Sequence, residues 1–226
     1  MKPLLSESED NSSLQALGRA SLQIVHDLKN QLNGLKLYAT FLRNRIEKSD
    51  RPADELETIR KLIAGIDRSA ADLSLLSQYG QPIVIKKQGA ADLDKMLRNV
   101  VANLKGDLSE VTPIVITAAP AQLVGEVDSA MLAEALKGIS TGAVKLFKSN
   151  KREGSLQIQL SNERSGAQNE GLIEWQVGGP MDHDPFRSFA GTDEIRMSLA
   201  AKIIEAHGGS AEKRDDTLRV RLPLVN

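Results

Sequence analysis

The chain has 226 residues, 41% of them hydrophobic and 26% charged, and no cysteine, which excludes disulfide scaffolds and cysteine-based zinc sites. Twenty-nine Lys and Arg against thirty Asp and Glu leave a net charge of −1, and one Trp, two Tyr and four Phe offer little to stack on bases, so nucleic acid is not an expected partner. No apolar run approaches the ~18 residues of a spanning helix, and the start is acidic and Ser-rich where a signal peptide is basic and then apolar. The expectation is a cytoplasmic chain with no membrane segment.

Residues 1–13 (MKPLLSESEDNSS) carry too little apolar surface to repay ordering and read as a disordered tail. From Val25 the apolar residues step Val25, Leu28, Leu32, Leu35, Ala39, Leu42 and Ile46, a three-four alternation over three heptads that predicts a long helix with a coiled-coil seam. Pro52, with Ser49 or Asp50 as cap, predicts a turn near Lys48–Ala53. The seam resumes at Leu56, Ile59, Ile63, Ile66, Ala70 and Leu73, widened by Leu62 and Leu76, and stops near Gly80 and Pro82. Residues 14–80 therefore form a helical hairpin. A lone hairpin leaves so broad a stripe wet, and a homodimer closing a four-helix bundle buries it.

The pattern changes after Pro82, so 81–226 is a second domain. Strands are expected at Ile83–Lys86, Pro113–Thr117, Ser155–Ser161, Gly171–Val177 and Thr217–Leu222, and helices at Asp92–Leu104, Ser129–Phe147 and Ile195–His207. This is an α/β sandwich, a sheet with helices on one face.

The chemistry-bearing word is Val25-His26-Asp27-Leu28-Lys29-Asn30-Gln31-Leu32. With Val25 at an a position and Leu28 at d, His26 falls at b, turned from the seam toward solvent, and Lys29, Asn30 and Asn33 follow on that side. A free imidazole titrates near ~6.5, is largely neutral at pH 7, and is then a competent nucleophile toward phosphorus. Asp27 can orient the ring or take its proton, Asn30 can hold a phosphoryl oxygen, and Lys29 can offset phosphate charge. For an arbitrary histidine a plain surface role is far commoner; a position midway along a dimerising hairpin shifts those odds. His183, His207 and Trp175 read as surface or packing residues, and no spacing supports a metal site.

In that setting the word HDLKNQL resembles the H box of the two-component histidine kinases of bacterial signalling, with Gln31 in place of the usual Pro. The likeness continues at Asp128 and Leu132, at Leu199–Gly209, and at Thr217–Pro223, covering about 14–224. It implies a dimeric phosphoacceptor hairpin followed by the kinase ATPase (Bergerat) fold, with His26 as phosphoacceptor. It also marks losses. Gly138 and Gly142 stand where the N box has two Asn, the second a Mg²⁺ ligand; Val177 stands where an Asp binds adenine; Glu194 and Arg196 replace lid glycines.

Three readings follow. The leading one is a histidine phosphotransfer protein on the kinase scaffold, in which His26 exchanges a phosphoryl group with the Asp of response-regulator receiver domains. It uses no ATP and no intrinsic cofactor, the Mg²⁺ coming with the receiver. The second is a divergent kinase core that labels His26 from ATP. The third is a non-catalytic dimerisation module, against which the intact H box argues.

Overall fold

The computed structural model describes residues 7–48, 53–87, 89–107, 112–118, 123–151, 153–165 and 168–225. The chain divides into two compact units, Met1–Gln81 and Pro82–Asn226.

The first unit is a hairpin of α1 (Glu7–Ile46) and α2 (Ala53–Gly80). Helix α1 is 40 residues long, about 60 Å at 1.5 Å per residue. Residues 7–13, expected in the tail, are helical, because a helix already propagating gains one hydrogen bond per added residue without new apolar surface; residues 1–6 and most of the expected turn lie outside the described residues. The a positions Val25, Leu32 and Ile46 are half-buried and Ala39 is buried. The d positions Leu28, Leu35 and Leu42 are 43, 54 and 52% exposed. The seam thus divides into a covered half and an uncovered half. Lys36 pairs with Asp67 at 2.6 Å and Arg60 with Glu47 at 3.8 Å, two exposed ion pairs that mark the antiparallel register.

The second unit holds a five-stranded sheet in the order β2 (Ile114–Ala118), β4 (Leu156–Ser165), β5 (Gln168–Gln176), β7 (Thr217–Pro223), β6 (Ser210–Arg214), with only β2–β4 parallel. Registered rows such as Ile158–Trp175–Leu218 and Leu160–Ile173–Val220 are buried. Three helices, α3 (Leu93–Asp107), α4 (Ser129–Ser149) and α5 (Thr192–Ala206), lie against the sheet. On the other face Arg219 pairs with Glu174 at 2.6 Å, and Arg221 reaches Glu212 at 2.6 Å and Glu163 at 3.2 Å.

No strand forms at Ile83–Lys86. Its β-branched run Ile83-Val84-Ile85 imitates one, but the Lys86 N–H goes to Asp128 Oδ2 at 2.9 Å and not to a ladder. A two-stranded pair of β1 (Ala90–Asp92) and β3 (Val124–Glu126) forms instead. Asp128 also caps α4 through the Met131 N–H at 3.1 Å. The N–H groups of Lys86 and Met131 hold its carboxyl below the ordinary 3.8, against the opposing effect of burial. Behind it sits His207, 2% exposed. Its Nδ1 is 2.8 Å from the Ile203 carbonyl and its Nε2 accepts from the Asp128 N–H at 3.0 Å, so the ring is a neutral packing group with Nδ1 protonated.

Candidate functional site

His26 lies on the outward side of α1, its side chain 64% exposed and that of Asp27 58%. Asp27 Oδ1 is 3.3 Å from His26 Nδ1, and the Asn30 Nδ2 stands 3.4 Å from the same nitrogen, one turn on. These two neighbours ask for opposite tautomers. A carboxylate only accepts, so Asp27 selects a proton on Nδ1 and a lone pair on Nε2; the Asn30 NH₂ only donates and selects the reverse. A third group, absent from the sequence reading, touches the cluster: Gln23 Nε2 donates to Asp27 Oδ1 at 3.0 Å. Its i,i+4 spacing to Asp27 was the available signal. Lys29 is half-buried at the e position, and among the described residues no hydrogen bond or ion pair joins it to His26.

Helix α1 carries two uncovered apolar sets on opposite sides. At 100° per residue Leu37 lies about 20° and Phe41 about 60° from the direction of His26, whereas Leu28, Leu35 and Leu42 lie about 160–200° away. Leu37 is 65% and Phe41 74% exposed.

In the second unit the positions marked by the resemblance are filled with protein. A Cβ on Gly138 would stand 3.1 Å from Arg196 Cγ, and one on Gly142 would collide with the Met197 sulfur. The glycines on α4 therefore let α5 approach, and an Asn at either place meets side chains already there. Val177 is fully buried, its carbonyl accepting from Asn150 Nδ2 at 3.1 Å. The Trp175 Nε1–H reaches Ser140 Oγ at 3.1 Å in the same core.

Glu194, in the first turn of α5, accepts from the Ser188 hydroxyl, from His183 Nε2 at 2.7 Å and from the Ala190 N–H at 3.1 Å. Burial pushes this carboxyl up, but the bonds from Ser188, His183 and Ala190 outweigh it and leave it below its ordinary value. Asp193 beside it takes Lys145 at 2.6 Å and Arg196 at 3.8 Å. The first turn of α5 thus carries two carboxylates of the chain itself, Asp193 and Glu194, whose negative charge disfavours an added anion there.

No protein-family model and no curated protein matches the sequence. Solved structures do. Full-length ShkA in complex with AMPPNP superposes with a TM-score of 0.62 at 16% identity, covering 92% of this chain and 46% of that one. Histidine kinase ThkA in complex with response regulator protein TrrA gives 0.58 at 16% identity, over 97% of this chain and 65% of that one. The fold is that of the histidine kinases. AdeS, a histidine kinase of Acinetobacter baumannii, gives 0.52 at 14% identity over 89% of this chain and 98% of its own. This chain spans about half the length of ShkA. Within that histidine-kinase fold the helical hairpin carries His26 and the α/β unit carries the filled α4–α5 contact. Among the described residues no helix is long and apolar enough to cross a membrane.

Proposed function

We propose that this chain is a two-component phosphotransfer protein, a homodimer whose His26 takes a phosphoryl group from the aspartyl phosphate of one receiver domain and passes it to another without ATP. The observation that carries this reading is a contrast. The histidine is exposed beside an orienting carboxylate, while Arg196 and Met197 stand against Gly138 and Gly142 where a nucleotide-binding member of the fold would present asparagines.

The chemistry follows from the ring. With its proton on Nδ1 and shared with Asp27, the imidazole attacks phosphorus through the Nε2 lone pair. A nitrogen–phosphorus bond forms in line with the departing carboxylate, and the phosphorus–oxygen bond to the receiver's Asp breaks with its electron pair. The Asp27 carboxylate stabilises the imidazolium character that develops, and Asn30 can donate to a phosphoryl oxygen. The Mg²⁺ that neutralises the phosphoryl group comes with the receiver. The reverse sequence discharges the phosphohistidine.

The two apolar sets on α1 suit two partners. A second copy packed on Leu28, Leu35 and Leu42 closes a four-helix bundle; a receiver seated over His26 covers Leu37 and Phe41. That ThkA has been crystallised with a response regulator agrees with such a partner.

The test is to incubate the protein with a phosphorylated receiver and, separately, with Mg²⁺-ATP. The expected result is an acid-labile, base-stable label on wild type from the receiver alone, absent in His26→Ala. Labelling of His26 from ATP would establish the kinase reading in its place.

A further inference from the structure

We infer that Gln23 is a positioning residue that selects the nucleophilic tautomer of His26 through Asp27; its bearing on rate rests on the phosphotransfer reading above. Gln23, His26, Asp27 and Asn30 occupy i, i+3, i+4 and i+7 of α1, a single outward stripe. Two of these groups compete for one nitrogen. Asp27 Oδ1, at 3.3 Å, stabilises Nδ1–H and leaves Nε2 free to attack, whereas the Asn30 NH₂, at 3.4 Å, stabilises the unprotonated Nδ1 and puts the proton on Nε2, where it blocks attack.

With both neighbours near the limit of hydrogen bonding, whatever holds the carboxylate decides the balance. Gln23 does so, giving its amide N–H at 3.0 Å to the same Oδ1 that faces the ring. That bond restricts the Asp27 side chain to the rotamer that points at His26. Asp27 carries the proton-accepting role; Gln23 touches neither ring nor phosphoryl group and acts only through Asp27.

The experiment reads the tautomer directly, in the unphosphorylated 226-residue chain, from the imidazole ¹⁵N shifts, with transfer rates measured in parallel. Gln23→Leu keeps a strong helix former at an exposed position and removes the donor, so helicity is retained. The expected results are a shift of His26 toward the Nε2–H form and transfer slower by about threefold. Gln23→Lys, which restores a donor to Asp27, returns the tautomer to the wild-type balance. Gln23→Leu combined with Asn30→Ala also returns it, because the competing donor is gone. An unchanged tautomer in Gln23→Leu overturns the inference while leaving transfer through His26 intact. A wild type that takes no label from any receiver instead overturns the phosphotransfer reading, and with it any part of Gln23 in that reaction.

Discussion

Met197 of α5 occupies the space into which a side chain on Gly142 of α4 would grow, its Cγ 2.9 Å from that Cβ position. An asparagine placed there would therefore meet the Met197 side chain first. Gly142→Asn is expected to destabilise the protein by about 1–3 kcal/mol through overpacking, seen as a lower melting temperature. Neither it nor the wild type is expected to gain thermal stability from millimolar Mg²⁺-ATP. A nucleotide-dependent rise in either would contradict the filled-site account.

The exposed d positions make the oligomeric state a test of α1. Light scattering should give about 49 kDa, twice the chain mass of 24.5 kDa. Leu35→Asp, or Leu28→Asp, puts a charge in the uncovered half of the seam and should release a species of chain mass, whereas His26→Ala should leave the dimer intact. A concentration-independent monomer for the wild type would remove the four-helix bundle from the account.

Periodicity made most of this fold legible. The three-four alternation from Val25 to Ile46 and the buried alternation of Leu218, Val220 and Leu222 each announce an element, because packing imposes the period on the sequence. Strand β6 announces nothing: Ser-Ala-Glu-Lys-Arg has no apolar alternation and is a strand because β7 offers it a ladder at the sheet edge. Ile83–Lys86 fails in the opposite way, having a β-branched apolar run typical of strands but, among the described residues, no neighbouring strand to pair with. The cluster of His26, Asp27 and Asn30 was readable from helical spacing. The reason for Gly138 and Gly142 was not, since it lies in how α5 crosses α4, a contact between residues about 58 and 55 positions apart in sequence.

Asp128 joins the Lys86 backbone, the first turn of α4 and His207, and its pH dependence has a definite sign. Its carboxyl is held below 3.8 in the folded protein, so the ionised form is the one folding favours. Its stabilising contribution is complete above the unfolded value and is lost as pH falls below 3.8 through the folded value. Asp128→Ala should lower the melting temperature at pH 7 by roughly 3–5 °C, and the gap from wild type should narrow below pH 4. A gap that widens with acid would contradict the assignment.

Residues around the imidazole and residues of the apolar patch should separate kinetically. Asp27→Asn and Asn30→Ala are each expected to slow transfer by ~10²-fold at saturating receiver, Asn30→Ala because loss of its donor to the phosphoryl oxygen outweighs the gain in the reactive tautomer. Leu37→Asp and Phe41→Asp should raise the receiver concentration needed for half-maximal rate while leaving the saturated rate near wild type. Loss of the dimer in either patch variant would reassign those residues to the bundle.

The relay itself can be followed in one experiment. A labelled receiver is mixed with the protein and an unlabelled second receiver, ATP being omitted, and label is traced over time on all three. The account predicts label on His26 of the wild type, then on the second receiver, and none on the second receiver when the protein is His26→Ala. Label reaching the second receiver equally with His26→Ala, or never appearing on the wild-type chain across a broad panel of receivers, would contradict it.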